Sequence, residues 1–192
     1  MIKIDAIGQT CPMPVIMTKK ALKNIIEGEI EVSIDNIISK ENIEKFAKEM
    51  GFACTSILED GVYKITIIKT SDAPKKSLTH SDNTVIVVEA DAMGQGDLEL
   101  GRTLIKGFFY TLTEMESLPK TIIFYNRGVF LVSEIQDSIE DLKVLEERGV
   151  EILSCGACVN FYNLQNSVKV GKITNMLNII ETQMKATRII KP

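Results

Sequence analysis

Ile2-Lys3-Ile4-Asp5-Ala6-Ile7-Gly8-Gln9-Thr10-Cys11-Pro12-Met13-Pro14 opens the chain, and its reading sets the fold of the first half. Residues 2–6 alternate apolar and polar as a half-buried strand does. A proline directly after a cysteine favours the first helical position, which puts Cys11 near the N-cap of a helix. Apolar residues at Val15, Ile16, Ala21, Leu22 and Ile25 then follow a helical period. Further on, Glu31–Asp35 alternates as a second strand. Residues 40–50, with Ile43, Phe46, Ala47 and Met50 on one side, form a helix stopped by Gly51. Cys54–Leu58 and Val62–Ile68 read as a strand pair around Asp60-Gly61. The order βαβαββ predicts a two-layer sandwich of sheet and helices.

Turn-forming and charged residues crowd the stretch KTSDAPKKSLTHSDN from Lys69 to Asn83. The reading places a domain at 1–70, a linker at 71–82 and a second domain at 83–192. The second domain starts with the apolar strand Val85–Val88, followed by the loop Asp91-Ala92-Met93-Gly94-Gln95-Gly96 and a helix over 97–113. A strand at 121–125, a helix over 133–148 and a strand at 150–153 follow. A helix over 173–184 and a short closing strand at 188–190 complete it. Strands buried on both faces and alternating with helices predict a parallel, Rossmann-like sheet, so the fold class is α/β in both halves. Such sheets bind ligands at the carboxyl ends of their strands. Cys155 falls just past one of those ends.

Composition narrows the function. The chain has 192 residues, 45% of them hydrophobic, which is ample for packed cores. A net charge of -4 argues against nucleic acid as a partner. No apolar run approaches the roughly 20 residues that span a bilayer, and no signal peptide opens the chain, so a cytoplasmic protein without a membrane partner is expected. Four cysteines are too few for a disulfide scaffold. Their work is then reactivity, metal binding or packing.

Cys11 at a helix start faces unpaired amides that favour negative charge, so its thiolate is stabilised and nucleophilic near neutral pH. Pro12 and Pro14 stiffen the turn that aims it. The bland alternative is a small packed residue. His80, the sole histidine, lies in the linker, which disfavours a cysteine–histidine catalytic pair. A persulfide carrier suits such a thiol better than acyl transfer. The stretch Asp5–Pro14, with its Cys-Pro-x-Pro and the βαβαββ order behind it, resembles the TusA/SirA-like sulfur-carrier family. The resemblance covers about the first seventy residues and implies that Cys11 accepts a sulfane sulfur as a persulfide and passes it to another protein. Many members carry a basic residue before the glycine, where this chain has Ile7.

Ser154-Cys155-Gly156-Ala157-Cys158 is a single C-x-x-C, a spacing shared by zinc knuckles and dithiol redox sites. A structural zinc needs two more ligands, yet Cys11 and Cys54 are isolated and His80 is in the linker, so no metal is expected. A thioredoxin-like site would open a long helix, and Val159–Leu164 does not read as a strong helix start. A Cys155/Cys158 disulfide stays open as a resting or resolving state. Gly94, Gly96 and Gly101 fit neither a dinucleotide fingerprint nor a P-loop, so no cofactor is implied. The loop holding Gly94 and Gly96, with Asn126 and Arg127 as neighbours, is a candidate for holding a small anion or substrate, with close packing as the alternative. Cys54 falls on a strand and is assigned to packing, and Met13, Met17 and Met50 to the core.

The second half resembles the DsrE-like family in its strand and helix order, its Gly94–Gly101 loop and its cysteine after a central strand. The whole chain, with Phe124–Val129, Cys155–Cys158 and Thr174–Met176, is similar to the sulfurtransferase-like YedF family of selenium metabolism. That resemblance implies a chalcogen-handling role, and the leading reading of the residues is a persulfide or selenium adduct carried on Cys11 and exchanged with Cys155, with Cys158 resolving. The donor would be a cysteine desulfurase or another persulfide or selenium donor, and the acceptor a downstream protein. A flexible linker of this length has a root-mean-square span of roughly 20 Å, which allows transfer within one chain or across a homo-oligomer. The competing readings are a non-catalytic adaptor of selenium metabolism and a dithiol redox protein using Cys155/Cys158.

Overall fold

A computed structural model describes residues 1–10, 12–70 and 83–192. Cys11, His80 and the linker expected at 71–82 lie outside the described residues. The chain divides into two units, Met1–Leu78 and Thr79–Pro192.

In the first unit, β1 (Ile2–Asp5) pairs parallel to β2 (Gly28–Ile34), β2 pairs antiparallel to β4 (Val62–Lys69), and β4 antiparallel to β3 (Ala53–Glu59), giving the order β1-β2-β4-β3. Alternation makes this sheet one-sided. Ile30, Val32 and Ile34 of β2 and Ile65 and Ile67 of β4 are fully buried with Leu22, Ile43 and Ala47, which belong to the helices α1 (Met13–Lys23) and α2 (Ile37–Glu49). The β3–β4 hairpin turns at Asp60 and Gly61, whose φ values of 51° and 79° are those of the tight turn that matches strand twist. Helix α2 begins three residues before its expected start because Asn36 caps it, accepting from the Ser39 N–H at 2.8 Å. The other end of α1 is held from the sheet: Lys69 Nζ, at the end of β4, donates to the carbonyls of Leu22 and Ile25 at 2.8 Å each.

The second unit is a five-stranded sheet, all of whose pairs are parallel: β5 (Thr84–Val88), β6 (Thr121–Phe124), β7 (Glu151–Cys155), β8 (Lys172–Thr174) and β9 (Arg188–Ile190), in the order β8-β7-β6-β5-β9. Ile86, Val88, Ile122, Phe124 and Ile152 point to one face, under Ile105, Phe109 and Leu112 of α3 (Leu98–Thr113) and Leu142 and Leu145 of α4 (Gln136–Glu147). Val85, Val87, Ile123, Leu153 and Cys155 point to the other, under Ile179 of α6 (Met176–Met184). The run of three valines and one isoleucine at 85–88 is therefore apolar throughout because both of its faces are covered. Among the described residues no helix is long and apolar enough to cross a membrane.

Three local expectations are corrected. Residues 172–174 form strand β8, and the last helix starts at Met176 behind the N-cap Asn175, whose side chain accepts from the Asn178 N–H at 3.0 Å. The helix expected from Ser133 starts at Gln136, and Asn126–Val132 before it is a 3-10 helix. A six-residue helix, α5 (Gly156–Phe161), opens directly after Cys155, where no strong helix start was read.

Gly171 is fixed by geometry twice over. Its φ is +80°, and a Cβ there would stand 2.5 Å from Ile152 Cγ2 and 2.6 Å from the Ile152 carbonyl oxygen. Replacing Gly171 by alanine should destabilise the fold by about 2 kcal/mol or more, read as a lowered urea midpoint in equilibrium unfolding. An unchanged midpoint would show that this crossing yields freely.

Candidate functional site

In the N-terminal unit two carboxylates shape the turn that precedes Cys11. Asp5 Oδ1 accepts from the Ile7 N–H at 3.1 Å, and Asp35 Oδ2 from the Gly8 N–H at 2.9 Å, with Gly8 at φ +73°. The Ala6 N–H donates to the Ser33 carbonyl at 2.9 Å and Gln9 N–H to the Ala6 carbonyl at 3.2 Å. Helix α1 starts one residue later than the sequence suggests. Pro12 is its N-cap, Met13 its first residue and Pro14 its second, where a missing N–H is harmless. Pro12 makes no side-chain cap, and no acidic residue stands in the first turn. Cys11 itself, though outside the described residues, is joined to Thr10 and Pro12, and the Thr10 carbonyl accepts from the Met13 N–H at 2.9 Å. Cys54 packs half-buried against the core, and burial pushes its thiol pKa up.

In the C-terminal unit, strands end side by side and their loops meet. Cys155 ends β7 and is the N-cap of α5, 1% exposed between Leu153, Ile123 and Ile179. Cys158, one helical turn on, is half-buried and packs against the apolar clusters on both sides of the sheet. Both are free thiols. The Asn126 backbone N–H donates to Cys158 Sγ at 3.0 Å. Burial pushes the Cys158 thiol pKa up, the neighbouring Cys155 adds to that, and the Asn126 N–H opposes it by favouring the thiolate.

That N–H is aimed by a strained backbone and a chain of contacts. Asn126 has φ +49°, uncommon for a residue with a side chain. Its Oδ1 accepts from Tyr162 OH at 3.0 Å, Tyr162 packs edge-on against Phe130 with ring centroids 4.9 Å apart, and the Arg127 guanidinium lies 5.0 Å from the Phe130 centroid. Arg127 in turn grips buried Asp91 with two hydrogen bonds, Nε to Oδ1 at 2.8 Å and Nη2 to Oδ2 at 2.9 Å, and Arg102 Nη2 adds a third at 3.1 Å. These cations, Arg127 foremost, hold the Asp91 pKa down at about 2 against an opposing push from burial. Gly128 is required beside them, since a Cβ would lie 2.2 Å from the Val88 carbonyl oxygen. Across the next strand end, Glu89 Oε1 accepts from Tyr125 OH at 2.8 Å and from Lys191 Nζ at 2.6 Å.

Of the residues singled out in the sequence, Asn126, Cys155 and Cys158 are in contact, and Arg127 anchors their loop through Asp91. Gly94 and Gly96 are exposed in the loop leading into α3, while Gly101 packs so closely on Ala92 that a Cβ would stand 2.9 Å from that residue's own Cβ. Asp91 and Tyr162 were not singled out. The position of Asp91 just past a strand end was the signal available for it; Tyr162 offered none. Among the described residues no group of three or more His, Cys, Asp and Glu side chains is gathered as a metal ion would need.

A one-sided sheet under two helices, the first of them entered through Cys-Pro-x-Pro, describes a small thiol carrier domain with a second, dithiol-bearing unit attached. The sequence profile of the family Sulfurtransferase TusA matches residues 2–69. A protein named as a sulfur carrier in Methanocaldococcus jannaschii is 47% identical over 53 residues, spanning 27% of this chain and 71% of that protein. Another so named in Thermotoga maritima is 44% identical over 59 residues, spanning 30% and 75%. A crystal structure of a SirA-like protein from Desulfitobacterium hafniense is 45% identical, covering 35% of this chain and 96% of that one, with a TM-score of 0.34. Through this N-terminal region the chain belongs to the TusA family.

The Asp91 clamp has a pH signature. Its pKa is about 2 in the folded chain against an ordinary 3.8, so the stability it contributes is present above pH 4 and drains away as pH falls toward 2. Asp91→Asn should flatten the loss of stability in that window, measured by urea unfolding at stepped pH. Parallel curves for the two proteins would mean the clamp contributes nothing.

Proposed function

We propose that the chain is a two-domain chalcogen-transfer protein of the cytoplasm. Residues 1–70 form a sulfur carrier on which Cys11 takes up a sulfane sulfur or selenium, and residues 83–192 form a DsrE-like domain whose Cys155/Cys158 pair receives it. The observation that carries this reading is the Cys-Pro-x-Pro sequence of residues 11–14, which runs into α1 from its N-cap Pro12, in a TusA-family domain. The Cys11 thiolate attacks the outer sulfur of a donor persulfide. A bond forms from Cys11 to that sulfur, the donor's own sulfur–sulfur bond breaks, and the donor leaves as a thiolate.

Several features support it. The first turn of α1 has no side-chain cap and no acidic residue, so the helix end favours a thiolate or a persulfide anion beside it. Pro12 and Pro14 restrict the backbone that presents the sulfur. The relatives are named as sulfur carriers, and such proteins take sulfur from a donor, here a cysteine desulfurase or an equivalent selenium donor, and hand it to an acceptor. Selenium enters through the similarity of the whole chain to the YedF family, which combines this carrier with a second domain bearing thiols.

Intact mass after incubation with a cysteine desulfurase and either cysteine or selenocysteine, without reductant, tests the reading. A chalcogen-sized gain is expected on the wild type and should vanish in Cys11→Ser, with unfolding unchanged. Undiminished loading of Cys11→Ser would overturn the assignment. Which amino acid loads faster reports the choice between sulfur and selenium.

A further inference from the structure

The two thiols of the C-terminal unit are not equivalent. Cys155 is 1% exposed, closed in by Leu153 and Ile123 of the sheet and Ile179 of α6. Cys158 is partly exposed, and its sulfur already accepts the N–H of Asn126 at 3.0 Å. A bulky donor reaches a sulfur only from outside, and thiol exchange requires the attacking sulfur to approach in line with the bond it breaks. Cys158 is the thiol with exposed surface for such an approach, and Cys155 has almost none. The spacing of three residues across the start of α5 puts them on one helix face, within reach of each other.

We infer that Cys158 is the sulfur that first receives the chalcogen, that Cys155 is the resolving thiol behind it, and that the pair releases the atom as hydrosulfide or hydroselenide. This deepens the transfer reading above and rests on it for the source of the chalcogen. It reverses the order that the sequence alone suggested.

The chemistry balances in two steps. First the Cys158 thiolate attacks the outer sulfur of a persulfide. A bond forms between Cys158 Sγ and that sulfur, the bond to the donor's sulfur breaks, and the donor departs as a thiolate with no net oxidation. Then the Cys155 thiol attacks Cys158 Sγ, and its proton passes to the departing sulfur. The Cys155–Cys158 bond forms, the bond from Cys158 to the carried sulfur breaks, and that sulfur leaves with the electron pair and takes up a proton as hydrosulfide. The carried atom is reduced by two electrons and the dithiol is oxidised to a disulfide. A dithiol reductant returns the pair to its starting state.

Asn126 is the positioning residue of this scheme. Its N–H favours negative charge on Cys158 Sγ, and Sγ is the leaving group of neither step, which keeps the sulfur in place while its two partners exchange. Tyr162 and the Asp91–Arg127 clamp hold that N–H on target.

The test uses the full chain in a Cys11→Ser background, given less than one equivalent of glutathione persulfide, so that the outcome does not depend on Cys11. Hydrosulfide is assayed, and adducts are located by peptide mass. The parent should release hydrosulfide and end with a Cys155–Cys158 disulfide. Adding Cys155→Ala should trap a sulfur-sized adduct on Cys158 with release lost, and adding Cys158→Ser should abolish both adduct and release. An adduct on Cys155 in the Cys158→Ser protein, or undiminished release in the Cys155→Ala protein, would overturn the order. A measurement needing no substitution stands beside these: on the reduced native chain, iodoacetamide should alkylate Cys158 at least about tenfold faster than Cys155. Equal or reversed rates would also overturn it. Failure of Cys11 to load from a desulfurase would instead strike the carrier reading and leave these results standing.

Discussion

Two loops leave neighbouring strand ends in the C-terminal unit, one after β5 and one after β6, and neither has a sheet to hold it. Asp91 and Arg127 join them. A carboxylate this well buried is costly unless its charge is answered by hydrogen-bonded cations, and here the fork of Arg127 meets it with two bonds while Arg102 supplies a third. The pairing closes only if the backbone at 126–128 comes down onto β5. Gly128 makes that approach sterically open, and its N–H donates to the Glu89 carbonyl at 3.3 Å. Once the loop is down, Asn126 is left with a positive φ and an N–H turned toward Cys158.

The N-terminal unit solves a similar problem with different parts. Its reactive segment also leaves a strand end, but it is shaped by Asp5 and Asp35 accepting backbone N–H groups and by the onset of α1. One unit thus relies on backbone amides held by carboxylates, and the other on side chains stacked from Asp91 to Tyr162. The first arrangement is largely local in sequence, with its long reaches going to Ser33 and Asp35 at the end of β2. The second ties together segments some thirty or more residues apart.

That difference explains what could be read in advance. The βαβαββ order and the parallel sheet were legible because alternation in Ile30–Ile34 and the unbroken apolar run of Val85–Val88 report which faces are covered. Cys11 with its two prolines and the Cys155/Cys158 spacing are short-range patterns and stood out. The 3-10 helix at 126–132 did not, because it follows from the nearness of Gly128 to Val88, which no local propensity encodes. Strand β8 was absorbed into the following helix because Ile173 continues the helical spacing of Met176–Met184, and Asn175 marks the true start. The difference in accessibility between Cys155 and Cys158 depends on Ile179, more than twenty residues along, so C-x-x-C alone could not rank the two sulfurs.

Lys69 deserves a last consequence. Its ammonium clips the final turn of α1 to the final residue of β4, at the point where the chain leaves the described part of the first unit. β4 also lies between two antiparallel partners, with Lys69 facing Gly28 and Ile68 facing Ala53. Any tension arriving through residue 70 is therefore spread over two ladders and a helix end at once instead of peeling one strand away. The turn at residues 6–10 leads into the opposite end of that helix, away from the residue through which such tension would enter.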